Sequence, residues 1–136
     1  MRTNLEEIRS LVESYAKKIE APQQLLPTYG RTVDGAHPHI EIKENGEFFY
    51  VIVERGQELR RELAVDINDL LYKIFTDITF SMACAVAAKQ RKGKEDFRRQ
   101  MFLKHEELLG VLQEEWKFRM QKEHQLILMS YPFDDK

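Results

Sequence analysis

The chain is predicted to be an α+β protein: an N-terminal helix, a three-stranded antiparallel meander, then three C-terminal helices packed on the sheet. Three observations carry this reading. Apolar residues recur at helical spacing at the start of the chain, alternate in short runs around two tight turns in its middle, and return to helical spacing from residue 66 onward. At 136 residues the chain is expected to form a single α+β domain over 1–136, with a loop at 22–38 and a short tail at 131–136. A chain of this length buries enough surface to fold without disulfides or metal.

The first helix is expected over residues 3 to about 20. Thr3 with Glu6, or Asn4 with Glu7, supplies the reciprocal side-chain bonds that satisfy the first backbone N–H groups. Leu5, Ile8, Leu11 with Val12, Tyr15 and Ile19 mark its inward face, and Pro22 stops it. Pro27, Gly30, Gly35 and Pro38 then break up a stretch without sustained period, read as a loop. Leu25, Leu26, Tyr29 and Val33 are expected to pack parts of it down.

Ile40 and Ile42 alternate with His39, Glu41 and Lys43 in a first strand, and Asn45-Gly46 supplies a tight turn. The run Phe48-Phe49-Tyr50-Val51-Ile52-Val53 is apolar on both faces and reads as the central strand. After a turn at Arg55-Gly56-Gln57, Leu59, Arg61 and Leu63 alternate with Glu58, Arg60 and Glu62. Exposed charges of this kind discourage pairing with other chains, so this is expected to be an edge strand.

Asp66 is a good N-cap for the next helix, whose stripe runs through Ile67, Leu70, Leu71, Ile74, Phe75, Ile78, Met82 and Val86 to about Gly93. From 78 to 88 it is apolar or small nearly all round, the pattern of a buried central helix. A third helix is expected over about 94–112, with Phe97, Met101, Phe102, Leu108, Leu109 and Leu112 inward. A fourth is expected over about 114–129, with Trp116, Met120, Ile127 and Leu128 inward.

Composition narrows the function. Charged residues are 32% and apolar residues 43% of the chain, which argues against disorder. The net charge of −2 gives no general pull toward nucleic acid or anionic lipid. The polar N-terminus does not read as a signal peptide, and the 78–88 stretch is far shorter than the ~20 residues a spanning helix needs. A cytoplasmic protein without membrane insertion is expected. The single cysteine, Cys84, suits a reducing compartment.

No set of residues spells out a catalytic constellation, and no cofactor is expected. His37 and His39, beside Asp34, could begin a metal site, but no further His or Cys motif completes three or four ligands. His105 and His124 each interrupt an apolar stripe, as hydrogen-bonded core histidines do; adjacent helices would make them a pH-sensitive pair. Cys84 lies among Ala83, Ala85 and Ala88 in an apolar setting unlike that of a nucleophilic thiol. Lys89, Arg91, Lys92, Lys94, Arg98 and Arg99 form a basic cluster, interrupted by Glu95 and Asp96, that reads as a solvated corner. Weight therefore moves from enzyme toward protein-binding module.

Several segments, in order along the chain, carry a resemblance. Pro27-Thr28-Tyr29-Gly30-Arg31, Asp34-Gly35-Ala36-His37-Pro38-His39-Ile40-Glu41, Val53-Glu54-Arg55-Gly56, Thr79-Phe80-Ser81-Met82-Ala83 and Tyr131-Pro132-Phe133-Asp134-Asp135 together resemble bacterial immunity proteins of polymorphic toxin systems, immunity protein family 63 among them. The resemblance implies a protein that binds a cognate toxin's C-terminal domain and neutralises it by stoichiometric inhibition, without catalysis. Aromatic and arginine anchors dominate such interfaces, which makes Tyr29, Arg31, Asp34, His37 and His39 one candidate partner-binding group. Tyr131 and Asp134, with Phe133 and Asp135, make a second. The alternatives are a small metal-dependent enzyme built on His37 and His39, a nucleic-acid-associated protein using the basic cluster, and an adaptor unrelated to toxins.

Overall fold

A computed structural model describes residues 4–31 and 34–135. The elements are α1 (Leu5–Lys18), a 3-10 turn (Gln23–Leu25), β1 (Thr28–Tyr29), β2 (Pro38–Ile42), β3 (Phe48–Glu54), β4 (Gln57–Ala64), α2 (Ile67–Gln90), α3 (Phe97–Leu112) and α4 (Glu114–Ser130). They fall into two compact units, Met1–Phe75 and Thr76–Lys136, divided inside α2.

In the first unit α1 begins at Asn4, whose side-chain oxygen accepts the Glu7 N–H at 2.9 Å. Thr3, the other predicted cap, lies outside the described residues, as does Val33. Ile8, Val12, Ala16 and Ile19 are buried, while Leu11, expected inward, is on the exposed edge of the stripe. Tyr15 meets Phe75 edge-on with ring centroids 5.8 Å apart, which ties α1 to the first turns of α2. Asp66 caps α2 through the Asp69 N–H at 2.8 Å.

The sheet corrects one expectation. It is four-stranded and mixed, in the order β1-β2-β3-β4, and not a three-stranded antiparallel meander. β1 runs parallel to β2, with Thr28 opposite His39 and Tyr29 opposite Ile40. Two residues cannot show an alternating pattern, so β1 is invisible to periodicity; β2 templates it. β2, β3 and β4 form the predicted hairpins, joined through Asn45-Gly46 and Arg55-Gly56. Arg55 and Gly56 both have positive φ, 53° and 74°, the geometry that matches strand twist in a two-residue turn. Tyr50 and Val51, neighbours on opposite faces of β3, are both buried, as a central strand requires. β4 is an edge, with a bulge opposite the Ile52/Val53 step.

The second unit holds the rest of α2 with α3 and α4. Thr79, Ala83 and Ala87 form a fully buried line along α2, and Ala83 and Ala87 pack with Met101 and Phe102 of α3. Contrary to expectation, this part of α2 is not buried all round: Phe80, Ser81, Ala85 and Ala88 are exposed. Small side chains cost little at the surface, so composition overstated the burial. By length and composition alone α2 is long and apolar enough to cross a bilayer, and half of its most apolar window is buried inside the protein. α3 starts at Phe97, not 94, because Asp96 is its N-cap and accepts the Arg98 N–H at 2.9 Å. Trp116, Met120 and His124 form the buried line of α4, while Ile127, expected inward, is exposed.

Candidate functional site

The predicted loop group sits in the first unit, largely as structure-bearing residues. Tyr29 pairs in β1 and its ring carries the Arg9 guanidinium 4.9 Å from its centroid. Burial pushes its phenol up to about 12; Arg9 opposes that shift and Glu13 adds to it. His37 donates from Nε2 to the Leu26 carbonyl at 2.8 Å, closing the loop on itself. Asp34 accepts the Gly56 N–H at 3.3 Å, tying the loop to the β3–β4 turn. Arg31 is exposed, and its carbonyl accepts the Thr28 hydroxyl at 3.0 Å. Tyr29 and Arg31 share a cleft of about 300 Å³ with Arg9, Glu13 and Gln23.

His39 is apart from these. It is buried in β2 and donates from Nε2 to Glu41 at 2.7 Å, leaving Nδ1 without a hydrogen-bond partner among the described residues. Glu41 also receives both terminal nitrogens of Arg61 at 3.2 Å and lies 3.1 Å from Lys43. Burial alone would raise this carboxyl, but the bonds from His39, Arg61 and Lys43 outweigh it and hold it at about 2. Arg61 in turn chelates Glu58, with the shortest contact at 2.6 Å. The result is a charged network across one face of β2, β3 and β4, with Phe49 beneath the Arg61 guanidinium at 5.3 Å.

The predicted tail group lies in the second unit. Tyr131 is exposed and its carbonyl accepts from Arg98 at 2.8 Å; the Pro132 carbonyl takes a second Arg98 nitrogen at the same distance. Asp96 accepts from the Asp134 N–H at 2.8 Å and from Arg98, and these bonds hold its carboxyl far below the usual range. Asp135 reaches back to the Asp96 N–H and to Arg99, both within hydrogen-bond distance. Phe133 lies under Arg99, 4.2 Å from its guanidinium carbon. Asp96, Arg98 and Arg99 thus clasp the tail. The sequence carried a signal for this, a Phe-Asp-Asp end and an Asp-Phe-Arg-Arg helix start, but complementary charge 36 or more residues apart does not reveal contact. Arg98 and Arg99 are therefore spoken for, which removes two members from the predicted basic cluster.

His105 and His124, read as core histidines, are buried together. His105 donates from Nε2 to the Thr76 carbonyl at 3.0 Å, and His124 donates from Nδ1 to Glu106 at 2.6 Å. His124 stacks on Phe102 at 3.8 Å between centroids. Phe102, Glu106 and His124 line a cleft of about 390 Å³ with Arg99, Leu128 and Phe133. Cys84 is partly buried, and burial raises its thiol pKa, the opposite of an activated nucleophile. Among the described residues no three His, Cys, Asp or Glu side chains are gathered as a metal would require. His37 and His39 each spend a ring nitrogen on the protein itself, on different partners.

Comparison with known proteins gives one relationship. No curated protein and no solved structure matches the chain. The family model described as Immunity protein 63 matches residues 44–126, more than half of the chain. That span begins after the Tyr29–His39 group and ends before the tail, and takes in β3, β4, α2, α3 and most of α4. The chain belongs to the immunity protein 63 family.

Proposed function

We propose that this protein binds the C-terminal domain of a cognate bacterial toxin in the cytoplasm and neutralises it by stoichiometric inhibition, with no catalytic step of its own. The family match over residues 44–126 carries this reading. The charged face of β2–β4 and the clasped tail support it, because both present preorganised polar groups on rigid elements, the arrangement that limits ordering costs on binding. A stable complex would bury about 1,600 Å² in total, with a few anchors dominating the affinity.

Of the candidate contact residues, Arg31, Asp34, Tyr131 and Asp134 are exposed, whereas Tyr29, His37 and His39 are engaged inside the first unit. Alanine at Arg31, Tyr131 or Asp134 is expected to weaken toxin binding without lowering the melting temperature, whereas alanine at Asp34 also gives up the bond from the Gly56 N–H. Alanine at Tyr29 or His37 is expected to lower stability as well.

The test is co-expression of the tagged chain with the toxin-like domain encoded beside its gene. Growth rescue together with a one-to-one complex supports the reading. A folded protein that neither rescues growth nor co-purifies with that domain defeats it.

A further inference from the structure

Residues of α3 and α4, with Phe133 of the tail, line a cleft of about 390 Å³, the size of a small-ligand site. Three of its side chains hold one another in place. The His124 imidazole lies flat on Phe102, 3.8 Å between centroids and 8° from parallel, and gives its Nδ1 proton to Glu106 Oε2 at 2.6 Å. The side chains of His124 and Glu106 are only 6% and 14% exposed, so packing fixes the carboxylate. Yet His124 uses just one of its oxygens. Glu106 Oε1 takes no hydrogen bond among the described residues, and it is not sealed from solvent. A carboxylate offers about four lone-pair sites, and one bond leaves most of them unfilled.

That oxygen decides what the cleft can take. An apolar occupant would strip water from a charged acceptor and return nothing, and an anion would meet like charge. A cation answers both the charge and the lone pairs. Arg99 also borders the cleft, but Asp135 accepts from its Nε at 2.9 Å and from a terminal nitrogen at 2.8 Å, so its charge is already answered. Leu103, 63% exposed, and Leu128 supply apolar wall for a side-chain stem. Gln121 and Gln125 bring amide oxygens that no hydrogen bond engages among the described residues. An apolar stem ending in a fork of donors is the shape of arginine. Its planar head reaches several acceptors at once and is less strongly hydrated than an ammonium.

We propose that this cleft is the anchor pocket for an arginine side chain of the toxin domain, with Glu106 as its counter-charge. The inference rests on the toxin-binding reading and adds where on the chain, and by what chemistry, the partner is held. Leu103, Glu106, Gln121, His124 and Gln125 all lie within residues 44–126, the span that carries the family match, whereas the Tyr29–His39 group lies outside it. Arginine is a frequent anchor of protein interfaces, and a pocket that is already rigid limits the ordering cost of binding it.

Titration calorimetry of the full chain with the toxin-like domain encoded beside its gene tests this. Glu106→Gln keeps an acceptor for His124 and removes the charge; it is expected to weaken binding roughly ten- to a hundredfold. Leu103→Lys places a cation on the exposed wall and should weaken binding by a similar factor. Glu107→Gln removes the same charge from the next residue, exposed and outside the cleft, and should change affinity by less than about twofold. Circular dichroism checks that each variant is folded. A second readout needs no toxin: arginine amide at millimolar concentration is expected to shift the His124 ring resonances of the wild type, while citrulline amide, its neutral isostere, leaves them in place. A toxin domain that binds wild type, Glu106→Gln and Leu103→Lys alike overturns the proposal and leaves the toxin-binding reading standing. His124 resonances indifferent to arginine amide, or moved as far by citrulline amide, overturn it as well. A toxin domain that does not bind the wild type defeats the toxin-binding reading and this proposal with it.

Discussion

The imidazoles of His105 and His124 lie 5.4 Å apart between centroids, and each gives its N–H to a different acceptor, the Thr76 carbonyl and the Glu106 carboxylate. Burial lowers the His105 pKa to about 4; the bond to Thr76 opposes that shift and the nearby His124 adds to it. The ring Nδ1 has no partner among the described residues, so a proton placed there would be a buried, unanswered charge.

The folded pKa of His105 is thus below its unfolded value near 6.5. Above that value both states are neutral and the residue adds no pH dependence. As pH falls from about 6.5 to 4, the unfolded chain takes up a proton that the folded chain refuses. Stability is expected to drop over this window, by up to about 3 kcal/mol. Urea unfolding at a series of pH values measures it, with His105→Gln, which keeps a donor for Thr76, as the variant that flattens the slope. A wild-type profile already flat between neutral pH and 5 would contradict this.

A second pH window belongs to Glu41. Its folded pKa of about 2 lies below the unfolded value, so its contribution is fully present above about pH 4.5 and is lost as pH falls toward 2. Glu41→Gln removes the charged acceptor for both His39 and Arg61 and is expected to cost about 1–3 kcal/mol at neutral pH. Chemical denaturation compares the two proteins. An unchanged midpoint would mean that Glu58 alone satisfies Arg61 and that His39 finds another acceptor.

The tail clasp depends on Asp96. Its carboxylate caps α3 and receives the Asp134 N–H, so Asp96→Ala removes a helix cap and the tail's anchor together. About 1 kcal/mol of stability should go with the cap. The tail should loosen far more: amide exchange at Asp134 is expected to rise sharply while that within α4 barely moves. The Arg99–Asp135 pair is exposed and worth little alone. If exchange at Asp134 stays protected in Asp96→Ala, Arg98 bonding to the Tyr131 and Pro132 carbonyls suffices to hold the tail.

Much of this molecule was legible where physics is periodic or local. Asn4, Asp66 and Asp96 act where helices begin; the first two stand just ahead of an apolar helical stripe, whereas Asp96 lies inside a charged run that itself suits a helix back to Lys94 and so hides the cap. β2, β3 and β4 announce themselves through alternation and their turns. β1 does not, because two residues stabilised by a neighbour have no pattern of their own. The candidate site was harder still. Tyr29 and His37 look like binding residues by type, yet Arg9 and the Leu26 carbonyl, residues 20 and 11 positions away, decide what they do. Side-chain partnership at such separations is set by packing and leaves no periodic trace. The family likeness was readable because it rests on spelling, and the matched span covers two of the quoted segments, Val53–Gly56 and Thr79–Ala83.

Gly30 gives the last prediction. Its φ is +73°, its N–H donates to the Ile40 carbonyl at 2.8 Å, and a Cβ there would sit 3.0 Å from Leu5 Cδ1. Two costs compete in Gly30→Ala. The left-handed backbone costs an L-residue about 1–2 kcal/mol, whereas the contact falls on the far end of a flexible side chain that can turn aside. The backbone term should therefore decide the outcome, with a loss of about 1–2 kcal/mol in urea unfolding. Trimming the neighbour by Leu5→Ala in the same chain should then restore nothing, because it leaves the dihedral angle untouched. Recovery in that double variant would show instead that the seating of β1 against the start of α1, and not the turn after Tyr29, is what the glycine protects.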